Sequence, residues 1–337
     1  MRVGFNPNKD KVLPKSDYTH QVIVPVYIPH QKDYFKDSFQ ILELCLESLF
    51  KTCHDKTYIT IVNNGSCIEV VNYLNQLQQE AKLQEVIHTT AIGKLNAILK
   101  GLSGHQFPLI TITDADVLFL NDWQKATYEV FEAFPKAGVV SPVPNSKLLR
   151  HNTANVIGST LFSKNTAFTY VTAKYAMISF AKSIGNESLY KEIHLKKQLT
   201  ITKETTTALI GAGHFVATYK GVSFDVLKQR FSTYSLGGDS EKLLLDKPAT
   251  DLGLWRLSTQ NNYAYHLGNV KENWMLDEFD NIISDSSTFE NSVDNKVYSG
   301  VLNDFYMKFF SRLIFRKPFW QLYLRFKGLT SEEAKQY

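Results

Sequence analysis

The 337-residue sequence predicts an α/β fold with a central, mostly parallel sheet flanked by helices. Three observations point there. Apolar, β-rich runs alternate with amphipathic segments from Gln21 to Phe119. The runs are near-continuously apolar, as strands covered on both faces should be. Several end in polar or acidic residues, which marks the carboxyl edge of an open sheet, where ligands bind.

The elements follow in order. Gln21–Tyr27 reads as a buried strand broken near its end by Pro25 and Pro29. Ser38–Lys51 places Phe39, Leu42, Leu46, Leu49 and Phe50 at helical spacing. Tyr58–Val62 is a second strand, closed by the turn formers Asn63-Asn64-Gly65-Ser66. A helix over 69–83, a short strand Val86–Thr89 and a helix Gly93–Gly101, stopped at its glycine, come next. Leu109–Thr113 is a strand that runs into Asp114-Ala115-Asp116. Trp123–Phe134 reads as a helix and Val139–Pro144 as a strand. Residues 145–205 mix helical patches with Asn, Thr and Lys clusters, and are expected as an excursion whose loops cover a site. Ala208–Ala217 sets glycines in an apolar run, a sign of close backbone approach. Gly237–Leu245 opens a helix with acids in its first turn, as the helix dipole favours.

Composition narrows the function classes. With 44% hydrophobic and 21% charged residues, the chain has ordinary globular composition and ample length for a core. A net charge of +4 is too weak to imply nucleic acid, and no nucleic-acid partner is expected. Cys45, Cys53 and Cys67 form neither a metal-type pair nor an even disulfide framework, which favours a reducing compartment. The polar N-terminus lacks the apolar core of a signal peptide, and no run of about 18 apolar residues occurs. The expectation is a cytoplasmic protein, soluble or peripheral on the inner face of a membrane.

Asp114 and Asp116 are the central pair. Carboxylates at that spacing suit a hard divalent cation, which commonly holds a phosphate. The same residues also make an acidic turn after a strand, and the motif alone does not choose.

Taken in order, the motifs resemble a family 2-type glycosyltransferase with the GT-A fold, over Gln21 to Gly268 and weakly at 145–205. The resemblance implies a Rossmann-like, mixed, mostly parallel sheet with a helical C-terminal appendage. Residues 1–19 read as a polar leader, and the resemblance implies a GT-A domain at 20–280, divided into a nucleotide-binding half (20–120) and an acceptor and catalytic half (121–280). A basic, aromatic helical extension follows at 281–337.

The family's site residues carry over one by one. Pro25 and Tyr27 end the first strand where the family seats the nucleotide base, so Tyr27 is expected to stack on uracil. Asn63 and Asn64 stand where the family has Asp-Asp; an amide can accept or donate, which leaves the base open. Lys94, with Asn96, is expected near the nucleotide-sugar, since a lysine at a helix start opposes the dipole. In Asp114-Ala115-Asp116, Asp114 is expected on the ribose or sugar and Asp116 on a divalent metal that bridges the diphosphate. Gly238-Asp239-Ser240-Glu241 resembles the family's Glu-Asp-x-Asp stretch. Asp239 is then the general base, and Glu241 replaces it if the register is off by two. His266 stands where many such enzymes place another metal ligand, and imidazole favours Mn²⁺ over Mg²⁺. His214 is expected along the donor–acceptor cleft.

The implied function is metal-dependent, inverting transfer of a sugar from a nucleotide-diphosphate donor, UDP-sugar favoured, to a glycan or lipid-linked acceptor, in surface polysaccharide synthesis. The departures at Asn63, Asn64 and Gly238 also fit a non-catalytic GT-A carbohydrate- or nucleotide-binding module. A haloacid dehalogenase-type phosphatase shares the Asp-x-Asp strand, but it needs a hydroxyl residue two positions after the second acid, where this chain has Leu118. The basic, aromatic stretch 305–327 suits an anionic membrane interface, or packing on the domain or in a homodimer.

Overall fold

The structure, a computed structural model, describes residues 4–12, 14, 16–284, 293 and 296–337. The expected leader 1–19 and the start of the expected extension 281–337 lie partly outside the described residues.

The strands are β1 (His20–Val26), β2 (Thr57–Asn64), β3 (Glu85–Thr89), β4 (Leu109–Thr113), β5 (Val117–Phe119), β6 (Ala137–Ser141), β7 (Thr166–Tyr170), β8 (Lys197–Lys203), β9 (Thr206–Ile210), β10 (Val216–Lys220), β11 (Trp255–Thr259) and β12 (Ala264–His266). Among the described residues, ten of these form one sheet in the order β3-β2-β1-β4-β10-β6-β11-β9-β8-β7. β3, β2, β1, β4, β6, β11 and β8 run one way and β10, β9 and β7 the other, so the sheet is mixed with one dominant direction. β5 and β12 pair separately as a two-stranded ribbon.

The helices that matter here are α1 (Ser38–Thr52), α2 (Ile68–Gln79), α3 (Lys94–Gly101), α4 (Trp123–Ala133), α5 (Ala154–Ser159) and α6 (Lys174–Ser183). Alternation along β1 shows how the layers form. Val22, Val24 and Val26 pack with Leu42, Leu46 and Leu49 of α1 and Val70 and Leu74 of α2. Ile23 points the other way, onto Leu95 and Ile98 of α3. Period-two alternation therefore buries both sheet faces under helices.

Three boundaries differ from the expectation for physical reasons. β1 continues through Pro25, because pairing with β4 ends at Ile23 and Pro25 has a strand partner only on the β2 side. β6 stops at Ser141 because Pro142 follows it. Much of the 145–205 region is sheet rather than loop: β7 and β8 extend the sheet antiparallel beyond β9. The C-terminal helices share a core with the domain, since Trp320, Tyr323 and Leu324 pack with Tyr128 and Phe131 of α4.

Candidate active site

Because β1, β2 and β4 are parallel, their carboxyl ends deliver Tyr27, Asn64 and Asp114 to one edge of the sheet. There they line a cavity of about 450 Å³ with Pro25, Lys94, Ala115 and Asp116. Tyr27 stands half-exposed (46%) in its wall, edge-on to Phe35 at 5.9 Å between ring centroids.

Three ligand-type side chains converge at this edge. Asp114, Asp116 and His266 each offer one ligand atom, all within 4.8 Å of one another. Backbone ties fix the loops that carry them. Asp114 donates its N–H to the Phe215 carbonyl at 2.7 Å, and Leu267 donates to the Asp116 carbonyl at 2.7 Å. The β5–β12 ribbon pairs Val117 with His266. The imidazole is clamped edge-to-face by Phe180 and Phe215, at 5.7 and 5.2 Å. Its Nδ1 meets Ser183 Oγ at 2.9 Å, and its Nε2 faces Asp116 Oδ2 at 3.5 Å. Phe180 and Ser183 both lie on α6, so the 145–205 region reaches the site through a helix behind His266, and none of its residues lines the cavity.

The electrostatics of the cluster suit a cation. Burial, with the charge of Asp114 adding to it, pushes the Asp116 carboxyl above its usual range, against the pull of His266 and Lys94. Asp116 Oδ1 is buried with no hydrogen-bond partner among the described residues. A buried acceptor of this kind is costly unless something binds it. Two carboxylates and one imidazole suit Mn²⁺ or a similar divalent ion, so the donor set fits the metal that the sequence implies.

Lys94 holds the other carboxylate: its Nζ lies 2.5 Å from Asp114 Oδ1 and 3.8 Å from Glu241. Burial alone would lower the lysine, but Asp114, Glu241 and Asp116 outweigh it and raise the ammonium above its ordinary value. The chain of charges continues inward. His214 lies 3.6 Å from Glu241 and 3.1 Å from Asp246, which pairs at 2.7 Å with the fully buried Arg256. Arg256 also donates to the Ala212 carbonyl at 2.7 Å, which anchors the segment before His214.

Five expected site residues stand elsewhere or are already engaged, and Asp239, the expected base, is one that does not line the cavity. Asn63 does not line the cavity, because its side chain accepts from Ser66 N–H and meets His88, both at 2.9 Å. Asn64 lines it, but its oxygen accepts the Ile92 N–H at 2.8 Å. Asn96 clamps the backbone of Ser232 instead of facing the cavity, with its oxygen and its amide each at 2.8 Å. His214 serves the Glu241–Asp246 chain, outside the cavity lining.

The acids near 240 divide. Asp239 is exposed and makes no ion pair among the described residues, whereas Glu241 meets Lys94 and His214. Just after them the helix widens into a π-helical turn, Lys242–Asp246, which places Asp246 against Arg256. Sequence reading missed Ser183, Phe180, Asp246 and Arg256. Each acts through a partner far along the chain and lacks a local signature.

A family model described as Glycosyl transferase family 2 matches residues 22–230. No curated protein matches the chain. Among solved structures, the chain is similar to TarS of S. aureus, at 15% identity and a TM-score of 0.43, over 75% of this chain and 37% of that one. It is similar to the mannosyltransferase PcManGT from Pyrobaculum calidifontis in complex with GDP-Man and Mn²⁺, at 17% identity and 0.41, over 77% and 59%. It is also similar to GalNAc-T7 with UDP, GalNAc and Mn²⁺, at 11% identity and 0.46, over 75% and 44%. The chain spans less than two thirds of each of these structures.

Proposed function

We propose that this chain, which belongs to glycosyl transferase family 2, moves a sugar from a nucleoside-diphosphate donor, UDP-linked by preference, to a hydroxyl of a glycan or lipid-linked acceptor with inversion. The observation that carries the reading is the convergence of Tyr27, Lys94, Asp114 and Asp116 on one cavity with His266 beside them.

Each side chain has a task. Tyr27 offers its ring as a stacking surface for the base. Asn64 has its amide nitrogen left to donate to a base carbonyl, since its oxygen is engaged. Lys94 positions Asp114 and adds positive charge beside the diphosphate. Asp114, Asp116 and His266 would hold the divalent cation, Mn²⁺ by donor type. Held there, a cation would supply positive charge to offset the charge that develops on a departing nucleoside diphosphate.

Asp239 is the proposed base. Glu241 is already engaged by two basic side chains, whereas Asp239 is free to receive an acceptor hydroxyl. As that oxygen bonds to the anomeric carbon, its proton passes to the Asp239 carboxylate. The bond from the anomeric carbon to the diphosphate oxygen breaks on the opposite face, which inverts the centre.

The test is release of UDP from a panel of UDP-sugars by the purified protein with Mn²⁺. Release that Asp116→Asn abolishes is expected. No release with any donor, together with nucleotide binding indifferent to metal, would instead fit a non-catalytic module.

A further inference from the structure

The C-terminal helices carry a feature that the site does not use. Residues 305–327 contain six basic side chains (Lys308, Arg312, Arg316, Lys317, Arg325 and Lys327) and no Asp or Glu. The inner face of this stretch is committed to the domain through Ile314, Trp320, Tyr323 and Leu324. An ordinary surface helix would then turn a polar face outward. Here the outward face is apolar as well. Phe305, Phe309 and Leu313 are exposed at every fourth position, and Phe319, Leu322 and Phe326 follow at helical spacing. Phe309 is 64% exposed, Leu322 62% and Phe326 60%, so this surface is not spare core.

α5 and the loop after it touch both ends of this stretch. Tyr306 packs on Gly158, and the Phe162 ring meets Phe326 at 6.4 Å. Lys327 turns its ammonium inward, donating to the Thr160 and Ser163 carbonyls at 3.0 and 2.9 Å. Arg312, Arg316, Lys317 and Arg325 remain at the surface among the exposed aromatics.

We propose that residues 301–327 form a face that lies on an anionic lipid bilayer. No helix among the described residues is long and apolar enough to cross a membrane, so the face would rest in the interface. Charge decides against a second copy of this chain as the occupant. A two-fold contact through this face would set cations against cations, since its one acid, Asp304, already pairs with Lys308 at 3.0 Å and leaves Arg312, Arg316, Lys317 and Arg325 without an acid from 301–327. Anionic headgroups supply the missing charge, and the exposed Phe and Leu side chains reach the acyl boundary. The inference stands on the C-terminal helices, and only the UDP-release control in its test rests on the transferase reading; vesicle binding is read without it.

The test is co-sedimentation of the full chain with vesicles of phosphatidylcholine alone, or of phosphatidylcholine with phosphatidylglycerol. Binding to the anionic vesicles that weakens in high salt is expected. Arg312→Glu with Arg316→Glu should weaken it about tenfold or more. Phe309→Ser with Phe326→Ser should abolish it and leave UDP release unchanged. The charge pair is at the surface, so it tests the idea even if the serine variant folds poorly. Equal binding to neutral and anionic vesicles, or no binding to either, overturns the proposal. So does a dimer in solution that the serine variant dissociates.

Discussion

Leu267 donates its backbone N–H to the carbonyl of Asp116 at 2.7 Å, and the preceding residue, His266, turns its ring onto the Asp116 carboxylate. Two candidate ligands 150 positions apart in the sequence are thus held together by backbone pairing. Ser183 completes the clamp by holding His266 Nδ1. Loss of a partner that orients a ligating histidine typically costs about 10–100-fold in metal affinity. Ser183→Ala should show that loss in a Mn²⁺ titration, with an unchanged circular dichroism spectrum. An unchanged affinity would mean that the two rings alone hold the imidazole.

The Asp246–Arg256 pair is buried and should matter to the fold. Arg256 is fully buried, and removing its partner strands a charge in the core. Breaking a buried pair from one side costs about 3–5 kcal/mol. Asp246→Ala should lower the urea midpoint accordingly, without a change in slope.

His214 gives a pH dependence with a definite sign. Burial pushes its pKa down, but the hydrogen bond and charge of Asp246 and the charge of Glu241 outweigh that and hold it above its ordinary value. A raised histidine contributes stability that is fully present below its unfolded pKa and is lost as pH rises through the folded one. Melting temperature should therefore fall for the wild type, relative to His214→Gln, as pH rises from about 6 upward. Parallel curves for the two proteins would contradict the assignment.

Gly93 sits at φ +91°, and a Cβ there would come within 3.0 Å of the Tyr234 carbonyl and 3.1 Å of Ser235 Cα. Lys94 next to it donates its N–H to Ser235 O at 3.0 Å, so this contact seats the 234–235 segment over the cavity. At φ +91° and ψ 151° this is a backbone region almost exclusive to glycine, so Gly93→Ala adds about 1–3 kcal/mol of strain. A lower melting temperature and a raised KM for the donor are expected. A raised melting temperature would show that the segment yields freely.

What sequence alone revealed follows from how local each signal is. The strands ending at Tyr27, Asn64 and Asp114 are legible because each is a short buried run with turn or acidic residues at its end. The site edge is therefore legible too. β7 and β8 are not, because their Thr- and Lys-rich runs read as loop and their pairing partners are known only in space. The inward charge chain is hidden for a similar reason. His214 meets Asp246 across 32 positions, and the acid follows an apolar Leu243-Leu244-Leu245 run that reads as plain helix core. Asn63 misled because a turn-forming amide and a base-reading amide look alike until hydrogen-bond partners are known.

The base assignment separates two acids that are close in sequence. Asp239→Asn should keep UDP binding and lose transfer by about 10²–10⁴-fold. Glu241→Gln should alter donor affinity more than turnover, since Glu241 touches Lys94. Kinetics with a UDP-sugar would read the split, and the opposite pattern would move the base to Glu241.

The most direct measurement is a calorimetric titration of UDP into the wild type and Asp116→Asn, each with and without Mn²⁺. The account predicts tight binding only for the wild type with Mn²⁺, and weak binding, indifferent to metal, for the variant. Equal UDP affinity with and without Mn²⁺ in the wild type would contradict a diphosphate–metal site at Asp114, Asp116 and His266.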